Sequence, residues 1–167
     1  MKRIFLLILF FSLFSLSAQE TNYPEIMNNG TILINTGIGF GMEIEAPREC
    51  PPLTASIDFA LPLGGFPFTV GLISGYFSES GGKTKLDGFL IAGRIAYHHD
   101  FNIPHFDTYL LLTLGGIAAK LNKKDEGYFW PGVSIGARYF FLPALGAFAE
   151  LGFDKVQNIS FGLSFKL

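Results

Sequence analysis

The sequence contains a single cysteine, few charged residues and no long apolar run beyond its first residues. Cys50 has no second cysteine with which to form an internal disulfide or a cysteine metal pair. Charged residues make up 16% of the 167 positions, whereas hydrophobic residues make up 49%. After residue 18, no apolar stretch approaches the roughly 20 residues that a membrane-spanning helix needs. The apolar side chains are therefore expected to be distributed over β-strands.

The amino terminus has the anatomy of a secretory signal peptide. Lys2 and Arg3 precede an apolar stretch over 4–16, and Ala18 ends a small-residue cleavage site before Gln19. We predict a signal peptide over 1–18, a periplasmic segment over 19–30 and a single domain over 31–167. An uncleaved transmembrane helix is the alternative, but the apolar stretch is too short for one. The mature chain has ten basic and fourteen acidic side chains, a balance that argues against a nucleic-acid partner.

The end of the chain carries the clearest structural signal. Residues 157–167 alternate strictly between an apolar face and a face of small polar residues, and their number suits a tilted strand across a bilayer. The same alternation, together with turn residues, predicts eight strands: 31–41, 53–61, 68–77, 86–100, 107–121, 130–142, 146–154 and 157–167. We therefore predict an all-β fold, an eight-stranded antiparallel up-and-down transmembrane β-barrel. Because the strand number is even, both termini are expected on the same side of the membrane, predicted to be the periplasmic side.

The connections between the predicted strands fall into two types. Those over 62–67, 101–106 and 143–145 are compact, contain proline and carry little charge, as periplasmic turns do. Those over 42–52, 78–85 and 122–129 carry most of the loop charge and are predicted to be surface loops. Aromatic residues cluster near both strand ends, which predicts two interfacial girdles. The predicted girdle residues are Phe66, Phe68, Tyr97, Phe101, Phe106, Tyr109, Tyr139 and Phe141 on the short-turn side, and Tyr76, Phe77, Tyr128, Phe129 and Trp130 on the loop side.

Four charged residues lie inside predicted strands, between apolar neighbours: Asp58, Arg94, Arg138 and Glu150. An arginine that faces lipid near the midplane costs about 2–4 kcal/mol, so these side chains are expected to point into the lumen. If 143–145 is a three-residue turn, Arg138 lies directly opposite Glu150. We predict a buried ionic network that plugs the barrel, because eight strands enclose little more than side chains. A ligand site or a gated pore is the alternative.

Several segments resemble the small eight-stranded outer-membrane β-barrel superfamily, whose members are porin-like or adhesin-like proteins. The resemblance is most specific over 136–141, 145–152 and 161–166, and it extends to 93–98 and 107–110. It implies insertion into outer-membrane lipid of the bacterial cell by the assembly machinery that reads a carboxy-terminal strand. The chain departs from the usual pattern because it ends in Leu167 instead of an aromatic residue, with Phe165 two positions earlier.

Enzymatic chemistry has weak support in the sequence. His98, His99 and Asp100, with His105 in the same predicted turn, form the only tempting cluster, but neighbouring strand residues face opposite sides and the spacing matches no standard metal site. We expect no catalytic, cofactor or metal residues.

The sequence favours a non-enzymatic outer-membrane protein with a structural or surface-interaction role, whose surface loops bind an unknown partner. A narrow porin or carrier for small solutes is the alternative, and a lipid-modifying enzyme is a weaker one. A soluble lipocalin-like barrel would show the opposite arrangement of apolar and charged faces.

Overall fold

The computed structural model describes residues 30–41, 44–63, 66–154 and 156–167, which form one closed, antiparallel barrel. Each strand pairs with the next along the chain, and pairing of the first strand with the last closes the barrel. The strands are β1 (Ile32–Phe40), β2 (Arg48–Leu63), β3 (Phe66–Gly81), β4 (Thr84–His99), β5 (Phe106–Leu121), β6 (Lys124–Leu142), β7 (Leu145–Phe153) and β8 (Ile159–Lys166). The predicted fold is thus confirmed.

Two of the predictions made for the amino terminus lie outside the described residues. These are the signal peptide over 1–18 and, apart from Gly30, the periplasmic segment over 19–30. Within the part of the chain that the structure describes, no helix is long and apolar enough to cross a membrane.

The barrel exposes large apolar side chains on its outer surface and buries charged ones inside. On β4, Ile91 and Ile95 are 56% and 52% exposed, whereas Arg94 between them is 5% exposed. This inversion follows from the period-two alternation of a strand, which sends neighbouring side chains to opposite faces. An apolar outer face that continues around the barrel suits a hydrocarbon environment and would favour aggregation in water.

The strands extend further on the surface side than predicted. The segments 78–85 and 122–129, predicted as loops, belong largely to two long hairpins whose turns contain only Gly82–Lys83 and Asn122–Lys123. The strands continue through these charged residues because their backbone groups stay hydrogen-bonded to the neighbouring strand as far as a two-residue turn, beyond the apolar band of the barrel. Strand β2 also begins earlier than predicted, and register shifts around Cys50 accommodate the two prolines that follow it.

The two predicted aromatic girdles need a correction. Phe77, Tyr109 and Trp130 were assigned to the girdles, but they point inward and are at most 4% exposed. Phe77 and Trp130 join Leu86, Leu90 and other apolar residues in a cluster that fills the surface-side half of the lumen. The buried charged residues Asp58, Arg94, Arg138 and Glu150 lie outside this apolar cluster.

Candidate functional site

The centre of the lumen is occupied by a carboxylate–guanidinium–carboxylate cluster. Arg94 projects inward from β4 and forms ion pairs with Asp58 on β2, with Nε 3.1 Å from Oδ1, and with Glu150 on β7, with Nη2 3.0 Å from Oε1. The three side chains are 4–7% exposed. Charges this far from water are stable only when they are paired, so Arg94 holds the two carboxylates together across the barrel.

The predicted direct pairing of Arg138 with Glu150 is wrong. Strand β6 pairs with β7 so that Arg138 lies opposite Phe148 and Glu150 lies opposite Gly136. The shift arises because the connecting turn is shorter than the three residues assumed, and because the register changes between Phe140 and Leu142. In strands, a change of two positions keeps the inward face but changes the partner.

Arg138 instead forms an ion pair with Asp107 at the start of β5. Its Nη1 lies 3.0 Å from Oδ2 of Asp107, and the two side chains are at most 1% exposed. Asp107 also contacts His98, whose Nδ1 lies 2.9 Å from Oδ1, and the Nε2 of His98 lies 3.0 Å from the hydroxyl oxygen of Thr69. Four neighbouring strands, β3 to β6, therefore each contribute one side chain to this second cluster.

Hydrogen bonds connect the two clusters into one network. Arg138 donates from Nε to Ser164 at 2.8 Å, and Ser164 in turn donates to Asn35. Asn35 donates from Nδ2 to Oδ2 of Asp58 at 2.9 Å, which brings the chain of contacts back to Arg94. All four sequence-predicted residues thus belong to a continuous network that spans the lumen.

Tyr109 supports the network from the middle of β5. Its hydroxyl group donates to Glu150 at 2.9 Å, and the guanidinium group of Arg138 lies 5.0 Å from its ring centroid. The ring fits because residue 136 is glycine: a Cβ atom there would lie 2.3 Å from the tyrosine ring. Gly71 makes similar room for the carboxylate of Asp58. Small inward residues are therefore needed for the large polar ones to meet.

Six of the side chains described above were not predicted to belong to this network: Asn35, Thr69, His98, Asp107, Tyr109 and Ser164. Asn35 and Ser164 carried a detectable signal, because both lie on the polar face of an alternating strand. Asp107 carried none, since an acidic residue at a strand end is equally consistent with a solvated turn. Its partner His98, predicted to lie near the end of the fourth strand, is 1% exposed inside the barrel.

A third arrangement joins loop residues to the barrel wall at the predicted surface end. The carboxylate of Glu79 on β3 accepts backbone N–H bonds from Ile44, Glu45 and Ala46 in the β1–β2 loop at 2.8–3.2 Å, and it lies 3.0 Å from Nε of Arg48. Arg48 also donates to the carbonyl oxygen of Val156 in the β7–β8 loop at 3.0 Å. We call Glu79 and Arg48 the surface latch, because together they join two loops to the barrel wall.

The β7–β8 loop is itself held by an acidic residue. Asp154 accepts backbone N–H bonds from Val156 and Gln157, each at 2.6 Å. Burial raises the pKa of the Asp154 carboxyl above its ordinary value, although these hydrogen bonds oppose the shift. These bonds hold Val156, the partner of Arg48, close to the end of β7.

The histidines separate to opposite faces of the strand and do not form a shared site. His98 points into the lumen, whereas the ring of His99 packs against Phe101 with 4.6 Å between centroids. Among the described residues, no group of three histidine, cysteine, aspartate or glutamate side chains is arranged to hold a metal ion.

The fold is that of the small eight-stranded outer-membrane β-barrels. The amino-terminal β-barrel domain of OprF from Pseudomonas aeruginosa matches with a TM-score of 0.57 and 13% identity, over 83% of this chain and 98% of that one. The outer membrane protein Ail of Yersinia pestis matches with a TM-score of 0.52 and 10% identity, over 83% and 100% of the two chains.

A structure described as a de novo designed transmembrane β-barrel also matches, with a TM-score of 0.51 and 16% identity, over 84% of this chain and 98% of that one. No protein-family model matches the chain, and no curated protein matches its sequence. At these identities, the likeness establishes the fold and no particular activity.

Proposed function

We propose that the protein spans the bacterial outer membrane as a closed, non-enzymatic barrel that has a structural or surface-interaction role. The apolar outer surface and the fold support the location. The assembly machinery of that membrane would recognise the carboxy-terminal strand β8, in which Phe161, Leu163 and Phe165 face outward. The role is proposed because, among the described residues, an apolar cluster and a network of paired polar side chains occupy the lumen.

The observation that carries this proposal is the continuous network from Thr69 on β3 to Glu150 on β7. It contains two guanidinium groups and three carboxylates, and each of their side chains is at most 7% exposed. An aqueous pore would require these groups to separate and exchange their partners for water. Because these groups belong to one connected hydrogen-bonded network, several contacts would have to break together, which favours the closed arrangement.

Conductance in planar lipid bilayers tests the proposal. We expect purified wild-type protein to give no steady channels, and a double variant, Arg94→Ala with Trp130→Ala, to give open-channel currents because it removes one large side chain from the ionic network and one from the apolar cluster. Folding of each variant is checked by the gel-mobility shift on boiling. Steady wild-type channels whose conductance is unchanged in the double variant would contradict the closed lumen and favour a narrow pore for small solutes.

A further inference from the structure

The barrel wall is uneven in height on its predicted surface side. Strand β6 pairs with β5 along 124–139, but it pairs with β7 only from Val133 onward, because β7 ends at Phe153. The connection that follows β7 does not continue along β6, since its Val156 is buried and accepts a hydrogen bond from Arg48 on β2. Within the described part of the chain, no strand therefore pairs with the upper part of β6 on the side that faces away from β5.

The backbone groups on this uncovered side belong to alternate residues of β6. The N–H of Phe140 donates to the carbonyl oxygen of His105 next to β5, and the β5–β6 register then continues without a shift to the hairpin turn. Successive residues of a strand direct their N–H and C=O groups to opposite sides, so Asp125, Gly127 and Phe129 direct both groups away from β5. We call the backbone groups of these three residues the open edge. Gly127 is exposed and has no side chain, so the exposed atoms are those of the backbone itself.

The corresponding edge on the other side of the barrel is protected, whereas the open edge is not. Pairing of β2 with β1 stops at Leu53, and the residues of β2 before it include Pro51 and Pro52, which have no N–H donor. Proline and register shifts of this kind are common protections of strand edges. In β6 the first proline is Pro131, beyond the three residues of the open edge. Strand β6 therefore keeps the donors and acceptors that an added strand requires.

The outward face of the open edge favours an aromatic side chain on the added strand. A Cβ atom at Gly127 would meet nothing within 4 Å. Phe129, which is 61% exposed, lies beside this gap, and both residues border an apolar groove of about 510 Å³ on the outer face of β4 to β6. Aromatic side chains of a paired strand commonly lie across a glycine on the neighbouring strand. The one charged side chain of the open edge, that of Asp125, lies opposite Lys120 on β5, so its charge is compensated.

A second copy of this chain in the same membrane does not suit the open edge. Such copies are related by rotation about the membrane normal, so their β6 strands would run in the same direction and could not pair antiparallel. Their tilts, each of about 40°, would also oppose one another, so the two strands would cross at about 80°. A segment of a different polypeptide that approaches from outside the membrane has neither restriction.

We propose that the open edge binds an extended segment of a partner protein, which pairs antiparallel with β6 and places an aromatic side chain opposite Gly127. Backbone N–H and C=O groups are matched along their whole length only by another polypeptide backbone, so the occupant is a peptide segment. The groove beside Phe129 receives the aromatic ring. This proposal deepens the surface-interaction role proposed above and rests on it.

Binding of a synthetic strand to the barrel in phospholipid nanodiscs tests the open edge. The probe is a fluorescent peptide of about nine residues, with alternating threonine and valine around a central phenylalanine. It carries N-methyl groups on the residues between those that face β6, which prevents self-association. The control peptide carries one further N-methyl group, on the phenylalanine itself. By fluorescence anisotropy, we expect saturable binding of the probe with a Kd below about 1 mM, and binding of the control that is at least about ten-fold weaker.

Gly127→Pro tests the same pairing from the side of the barrel. It removes an N–H that faces away from β5, and proline is tolerated at such an edge position, so the β5–β6 ladder remains intact. We expect binding of the probe to weaken by at least about ten-fold. Gly127→Ala is the matched control, because it also adds a Cβ atom in open space but keeps the N–H, and it should change binding by less than about three-fold.

No saturable binding of the probe, equal binding of the two peptides, or equal effects of Gly127→Pro and Gly127→Ala would overturn the open edge as a binding site. Folding of each variant is followed separately by the mobility shift on boiling, and closure of the lumen by conductance. Failure of the open edge in a folded, closed barrel is therefore distinguishable from failure of the proposed function, which would appear as a soluble protein without the shift or as steady channels.

Discussion

Replacement of Arg94 by methionine is the most informative perturbation of the lumen. Methionine approximates the length of the arginine stem but removes the charge that pairs with both Asp58 and Glu150. Loss of one member of a buried ion pair typically costs about 3–5 kcal/mol, because it leaves an uncompensated charge. Since Arg94→Met leaves two carboxylates that are 4% and 7% exposed, we expect a loss near the upper end of that range.

Recovery of the lost stability in a triple variant tests whether the unpaired carboxylates cause the loss. When Asp58→Asn and Glu150→Gln are added to Arg94→Met, both unpaired charges disappear, and at least about 2 kcal/mol of the lost stability should return. An exposed pair supplies the control: Lys85 and Asp87 are 64% and 39% exposed and 3.8 Å apart, so Lys85→Gln should change stability by at most about 1 kcal/mol.

Equilibrium unfolding in urea measures these effects, with the fluorescence of Trp130 as the signal. It is the chain's single tryptophan and is 1% exposed in the folded barrel. Linear extrapolation gives the free energy of unfolding for each variant. A loss below about 1 kcal/mol for Arg94→Met, or no recovery in the triple variant, would refute the ionic account of the lumen.

Two further predictions follow from the contacts. In double-mutant cycles, the coupling energy between Arg138 and Asp107 should exceed that between Arg138 and Glu150 by about 1 kcal/mol or more. The reason is that Arg138 forms its ion pair with Asp107. Equal coupling energies would contradict the observed register. Glu79→Gln should weaken the surface latch and speed cleavage of the β1–β2 loop several-fold by a glutamate-specific protease added to intact cells. The same substitution at the exposed Glu126 should not change the rate of this cleavage. Unchanged cleavage in Glu79→Gln would show that the loop is held by other contacts.

The strands and the inward charges were predictable because both depend on local pattern. Period-two alternation identifies β8 from eleven consecutive residues, and a charge between apolar strand neighbours identifies Arg94 as inward. Neither inference needs to know which strand pairs with which. The partners of an inward charge depend on the strand register, and a turn that is longer or shorter by one residue changes that register. Arg138 was therefore predicted to be inward but was given the wrong partner.

The surface latch could not be predicted from the sequence. Glu79 lies in a stretch rich in Ser, Gly and Lys that has the composition of a loop, and its partners are backbone N–H groups of another loop. Backbone N–H donors cannot be recognised from the sequence, since every residue except proline has a backbone N–H group. Asp107 was missed for a related reason, because its burial depends on how far the barrel wall extends past the strand end.

The most direct test of the central claim, a membrane barrel with its apolar face outward, is heat modifiability of the protein in fractionated membranes. The account predicts that the protein is found in the outer-membrane fraction and that unboiled samples migrate faster on denaturing gels than boiled ones, because the closed barrel resists detergent. A protein recovered in the soluble periplasmic fraction, with the same mobility before and after boiling, would contradict it.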